Sequence, residues 1–266
     1  MLRVTLPNGL DCFCLSAKET EWIYAEVFTE KHYLRRGISL KDGDCIVDVG
    51  ANIGLFAVYL SQNYPHSTIY SFEPMLPTFE VLEFNLDLHQ AKNVTALNYG
   101  ISTHNQTEVE FTYYPNLPGN STIHPQEKQE HLEVLGDALG QQTVEFLFEG
   151  EKLKAELRSL SSVIQDLALE TIDLLKVDVE GEEYSVLAGI GKQDWPKIRQ
   201  VVLEVHDIDG RLERICTLLN THGFDVFTEQ SPFSPYPLNQ HYVYASRDGL
   251  DRTADQGNVQ GAEAKP

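Results

Sequence analysis

DVGANIG, residues 48–54, is the stretch that decides the fold. The run before it, Cys45 to Val49, is short and apolar, as a buried strand is. The run after it, Leu55 to Tyr64, has helical spacing through Phe56, Ala57, Leu60 and Tyr64. Gly50 and Gly54 therefore sit at a strand-to-helix junction, where the missing β-carbon lets a ligand approach the backbone closely. Glu73 stands nineteen residues past Gly54, ending a second strand-like run from Thr68 to Phe72. An acid at that place can accept both ribose hydroxyls of a nucleoside. The two features together point to an adenosine-containing cofactor.

A dinucleotide site uses G-x-G-x-x-G, because a diphosphate must rest on a helix N-terminus free of side chains. Here Ala51, Asn52 and Ile53 separate the two glycines, so the middle glycine is missing. Asp48 would also receive a negative diphosphate poorly. It suits a cation better. S-adenosylmethionine carries a sulfonium and an ammonium and no phosphate, so the pattern favours that methyl donor over NAD. The plainest competing reading is a structural glycine turn in an α/β protein, and Glu73 weighs against it.

Outward from this junction, strand and helix patterns alternate. Strands are expected at 44–49, 68–72, 94–99, 172–178, 200–206, 223–229 and 240–246, and helices at 53–64, 77–89, 182–190 and 209–222. Such alternation implies an α/β fold with a mostly parallel, doubly wound sheet. The last two strands have no helical pattern between them, so they read as a hairpin with an antiparallel last strand. Residues 2–15 alternate around Pro7-Asn8-Gly9 and predict an N-terminal hairpin. Glu19 to Leu34 predicts a helix. An insertion at about 103–170 interrupts the alternation, with strand-like runs at 108–114 and 143–148 and a helical stretch around 126–139. It reads as a lid or partner surface, or as decoration over a sheet edge. Residues 1–246 read as one domain, and 247–266 as a disordered tail or linker.

The chain of 266 residues carries 40 acidic and 20 basic side chains, a formal charge of -20. So acidic a protein repels a phosphate backbone, which argues against a nucleic-acid partner. No run approaches the ~18 to 20 apolar residues of a membrane span. No basic leader precedes an apolar run. Cys12, Cys14, Cys45 and Cys216 form no C-x-x-C pair, which fits reduced thiols and a cytoplasmic setting.

Ligands of open α/β sheets bind at the C-terminal strand ends. Asp178 ends one predicted strand, and Glu204 and His206 end its neighbour on one face. Three polar groups converging there need something to pair with. A divalent cation (Fe, Mn, Mg or Zn) on Asp178, Glu204 and His206 would lower the pKa of an acceptor hydroxyl and position it. Without metal, His206 can act as a general base. The bland alternative has the two acids capping helices and His206 packed in the core. Glu30 and His32 could reach the site but read rather as a solvated helix face, and His241 as a surface or mouth residue. Asn120-Ser121-Thr122 reads as a ligand contact or a turn. Lys176, two before Asp178, can pair with one of the acids.

The ordered set DVGANIG (48–54), FEP (72–74), KVDVEG (176–181) and LEVH (203–206) resembles the FkbM-type methyltransferases over about residues 30–230. The resemblance implies a class I Rossmann-like methyltransferase using S-adenosylmethionine, most often on a hydroxyl of a natural product or sugar. It implies either a free enzyme or a domain of a polyketide or peptide synthase, with a small or carrier-tethered substrate. Gly50, Asn52 and Gly54 would hold the donor, with Asp48 at its methionine end and Glu73 on its ribose. Asp178 and Glu204 would belong to the active site. An NAD-linked oxidoreductase and a non-catalytic docking module are the competing functions.

Overall fold

Seven strands make the central sheet of the computed structural model, in the order β5-β4-β3-β9-β10-β12-β11. The structure describes residues 1–128, 140–231 and 239–252, with 132, 135 and 136. The strands are β3 (Cys45–Val49), β4 (Thr68–Phe72), β5 (Val94–Leu97), β9 (Leu174–Asp178), β10 (Gln200–His206), β11 (Asp225–Gln230) and β12 (Gln240–Ser246). The first five run parallel, and β12 lies antiparallel between β10 and β11. The expected hairpin and antiparallel last strand are both present.

Central parallel strands are covered on both faces, so their residues are apolar almost throughout. Alternate residues serve alternate layers. Val47, Val49, Leu175, Val177, Val201 and Leu203 pack on one face, against α5 (Leu160–Asp166), α6 (Glu183–Ala188) and α7 (Arg211–Thr221). Ile46, Leu174 and Val202 pack on the other, against α2 (Leu55–Asn63) and the N-terminal segment. Helix α3 (Leu76–Leu88) follows β4 and packs on α2 through Leu82 and Leu86. Strand order reverses between β3 and β9. That reversal opens the crevice where ligands of such sheets bind.

The predicted N-terminal hairpin is β1 (Leu2–Thr5) with β2 (Asp11–Cys14). Its Cys12 and Cys14 are buried free thiols. The helix predicted at 19–34 is broken. Regular α1 (Ala17–Tyr24) passes into a π-helical turn, Ala25–Thr29, and ends at Lys31, whose φ of 51° is left-handed. A 3-10 turn follows at His32–Leu34. The break aims Glu26 and Tyr33 at the sheet.

The insertion builds its own sheet, β6-β8-β7, from β6 (Gly100–Ser102), β7 (Gln106–Tyr113) and β8 (Glu151–Ser159). The strand expected at 143–148 is instead helix α4, Gln141–Leu147. Val144 is buried there while Phe146 is 59% exposed, so the run has no alternating buried face. The partner of β7 is β8, whose Leu153, Ala155 and Leu157 do alternate. Of the helical stretch expected around 126–139, a 3-10 turn covers Pro125–Lys128; most of the rest lies outside the described residues. Arg247 to Arg252 form no free tail. The Arg247 guanidinium donates to the carbonyls of Trp195, Ile198 and His222, and Asp251 N to Arg36 O at 3.1 Å. Residues 253–266 lie outside the described residues.

Candidate active site

Strand β3 delivers the chain to a turn that only glycine can open. Gly50, at φ 78°, faces β9 so closely that a β-carbon would stand 1.8 Å from the Asp178 carbonyl oxygen. Gly50 N and Ala51 N both donate to Phe72 O at 3.0 Å, tying the turn to the end of β4. Asn52 is left-handed at φ 49°, and its Oδ1 accepts from Ile53 N at 2.8 Å. Gly54, at φ 82°, packs on Leu82 of α3. Glu73 ends β4 in the same crevice. Its Oε2 accepts from Asn52 N at 3.0 Å and its Oε1 from Met75 N at 2.9 Å. Burial pushes its carboxyl up to about 7, against the pull of those two N–H groups. Each oxygen keeps a lone pair for a further donor, such as a ribose hydroxyl.

Gly50, Asn52, Glu73 and Met75 line a cavity of about 90 Å³, together with Asp178, Val179, Glu180 and Glu182, while Gly54 is not among its lining residues. Pro118 to Ile123 of the insertion form a strap along one wall. Gly119 N donates to Glu19 Oε1 at 2.7 Å, and Thr122 Oγ1 to Glu180 O at 2.6 Å. Lys128 bonds Glu180 and reaches Asn120 Oδ1 at 3.0 Å. Burial pushes the Glu19 carboxyl up to about 7. Ser121 and Thr122 thus border the cavity, while Asn120 is spent on Lys128. The volume is below the roughly 300 Å³ typical of small-molecule sites. A nucleoside-sized ligand therefore needs a wider opening than this cavity offers.

Beyond Asp178 lies a cluster of carboxylates. One oxygen from each of Glu26, Asp178 and Glu204 falls within 4.8 Å of the others. Tyr33 OH donates to Asp178 Oδ2 at 2.8 Å, Tyr242 OH to Glu26, and Gln240 Nε2 to Glu204. Burial, then the Asp178 charge, pushes Glu26 up to about 7. Burial and Glu26 push Glu204 above the usual carboxylate range. With carboxylate oxygens this close, Glu26 and Glu204 resist ionising together.

Two expected members stand elsewhere. His206 shares a strand with Glu204, but its ring turns to helix α6, with Nδ1 3.0 Å from Glu183 and Nε2 3.4 Å from Glu180. Burial would push it down, but those two acids outweigh burial and raise it. The acid at the start of α6 captures the imidazole, and Glu26 takes its expected place. Asp48 is fully buried, with Lys176 Nζ 3.1 Å from Oδ1 and Ser71 Oγ 3.3 Å from Oδ2. Its charge is answered by lysine, and it is not among the cavity-lining residues. His32, expected on a solvated face, is buried and stacked on Tyr242 at 4.6 Å. The sequence held a signal for the missed Glu26, an acid inside the apolar run Ala25–Phe28. Lys176, expected to pair with one of the acids, meets Asp48, its register partner across β9 and β3, and Asp178.

Residues 48–226, from Asp48 through β10 and α7, match the family described as the methyltransferase FkbM domain. The chain belongs to the FkbM methyltransferase family. It is 37% identical to the 31-O-demethyl-FK506 methyltransferase FkbM of Streptomyces tacrolimicus, over 85% of this chain and 90% of that one. It is 39% identical to methyltransferase SdnD of Sordaria araneosa, over 86% and 91%. A 36% identity with the AMB antimetabolite synthetase AmbE of Pseudomonas aeruginosa covers 93% of this chain but 12% of that protein. Among solved structures, the FkbM methyltransferase of Methylobacillus flagellatus shares the fold, with a TM-score of 0.53 at 15% identity over 83% of this chain and 47% of that one. The chain is thus a Rossmann-like, S-adenosylmethionine-dependent methyltransferase. No helix among the described residues is long and apolar enough to cross a membrane.

Proposed function

We propose that this FkbM-type methyltransferase methylates a hydroxyl oxygen of a natural-product intermediate, with Asp178 receiving the hydroxyl proton. The observation that carries the reading is the position of Asp178. It is the member of the carboxylate cluster that borders the donor cavity, and its backbone carbonyl faces Gly50. When bound, the donor supplies an electrophilic methyl group on a positive sulfur. The residues fit such a cation. Glu73, Asp178, Glu180 and Glu182 border the cavity, and no basic side chain is among its described lining residues. The same acids would repel the diphosphate of NAD. Gly50, Asn52 and Gly54 bring backbone to the donor, and Glu73 accepts from the ribose. As the oxygen–methyl bond forms and the sulfur–methyl bond breaks, Asp178 takes the proton released by the acceptor. Tyr33 and Lys176 hold Asp178 in place.

The choice of oxygen draws on the relative that methylates 31-O-demethyl-FK506. A carrier-tethered acceptor draws on the likeness to a segment of the AmbE synthetase. The test is methyl-labelled S-adenosylmethionine with hydroxylated polyketide and peptide acceptors, free and carrier-bound, read by mass spectrometry. Label on oxygen supports the proposal. Label on nitrogen or carbon, or no transfer to any acceptor, overturns it; the last result favours a docking module.

The carboxylate cluster favours a second reading, in which a divalent cation assists. Three carboxylate oxygens within 4.8 Å fit a hard ion such as Mg²⁺ or Mn²⁺. Glu26, Asp178 and Glu204 would hold it, and it would lower the pKa of the acceptor hydroxyl. His206, engaged with Glu183, is not part of that set. Chelator treatment that abolishes turnover, with recovery on added Mg²⁺ or Mn²⁺, supports this version. Full turnover of metal-stripped enzyme leaves Asp178 alone as the proton acceptor.

A further inference from the structure

We infer that Lys176 is a positioning residue that locks the donor turn to the acceptor acid. Its side chain is 3% exposed, and its ammonium meets three oxygens: Gly50 O at 2.7 Å, Asp48 Oδ1 at 3.1 Å and Asp178 Oδ2 at 3.4 Å. The Gly50 contact is a hydrogen bond, and the two carboxylate contacts are ion pairs that hold the charge between Asp48 and Asp178. The Tyr33 ring lies 5.1 Å from Nζ, and the Tyr33 hydroxyl donates to the same Asp178 oxygen. Burial works against the charge, but Asp48 and Asp178 outweigh it and keep the lysine protonated.

A counter-ion for Asp48 would need one of these contacts. The other two are different in kind. Gly50 belongs to the turn that cradles the donor, and Asp178 belongs to the acceptor side, on the neighbouring strand. One side chain therefore fixes the spacing between the methyl source and the group that receives the proton. A displacement of about 1 Å at a reacting centre can cost a hundredfold in rate, so this spacing is functional. The inference rests on the reading of Asp178 given above, but its donor-side arm does not.

The test compares two variants in which the buried charges are removed together, Asp48→Asn/Lys176→Met and Asp48→Asn/Lys176→Gln. Asp48→Asn alone is the control. S-adenosylmethionine and S-adenosylhomocysteine are titrated by calorimetry, folding is read from thermal melts, and turnover is measured at saturating donor. The methionine variant is expected to melt cooperatively yet bind both ligands about tenfold more weakly. The glutamine variant, which keeps an N–H for Gly50 O, is expected to regain most of that affinity. Both are expected to turn over more slowly than Asp48→Asn, because Asp178 has lost its cation. Unchanged affinity and turnover in the methionine variant would reduce Lys176 to a counter-ion. If that variant does not fold, the glutamine variant decides, and turnover equal to Asp48→Asn would overturn the inference. Full turnover of Asp178→Asn would remove the proton-acceptor reading and leave the donor-side arm standing.

Discussion

Each residue proposed to hold the donor makes a contact whose removal has a defined cost. Glu73 loses two backbone N–H partners and its acceptor capacity in Glu73→Ala. Donor affinity should fall by about 1 to 3 kcal/mol, and unchanged affinity in calorimetry would sink the ribose assignment. Gly50→Ala would drive a β-carbon against the Asp178 carbonyl at a positive φ. It should destabilise by about 1 to 3 kcal/mol or more, read from denaturant melts. Gly50, Gly54 and Glu73 were legible because a glycine turn and a strand-end acid are local patterns. Asp178 and Glu204 were legible as strand ends. His206 was misplaced because spacing gives the face of a strand but not the competing partner. Glu183, on the following helix, wins that ring.

At the scale of elements, regular periodicity served well and irregular backbone did not. The parallel strands and their helices follow from runs of buried apolar residues. The π turn at Ala25–Thr29 breaks the helix that 19–34 predicts, and that break delivers Glu26 and Tyr33. π turns recur at functional sites. The insertion was partly legible. β7 showed as a strand, whereas the alternation in β8 went unread. Its strap from Pro118 to Ile123 lines the cavity, and its ties are mostly polar: Gly119 to Glu19, Thr122 to Glu180 and Lys128 to Glu180. Lys128→Met should loosen the strap, with faster amide exchange at 117–123 and faster donor release. Exchange and release both equal to wild type would show that the strap does not gate the cavity.

Over the whole molecule, acidity and burial meet in one pH dependence. Glu19, Glu26 and Glu73 are buried carboxyls pushed up to about 7 from 4.5. Between those values the folded protein holds more protons than the unfolded chain. Their contribution to stability is therefore fully present below about 4.5 and is lost as pH rises through about 7. Thermal melts of the donor-free protein should fall across that window, and Glu73→Gln should flatten the slope. A slope unaltered by that substitution would contradict the protonation assigned to Glu73.

The central claim is that Asp178 joins the donor cavity to the acceptor by taking the hydroxyl proton. Single-turnover methyl transfer by Asp178→Asn, with donor affinity measured in parallel, tests it most directly. The account predicts at least about a hundredfold loss of the first-order rate, with donor affinity largely kept. A wild-type rate in Asp178→Asn would contradict it.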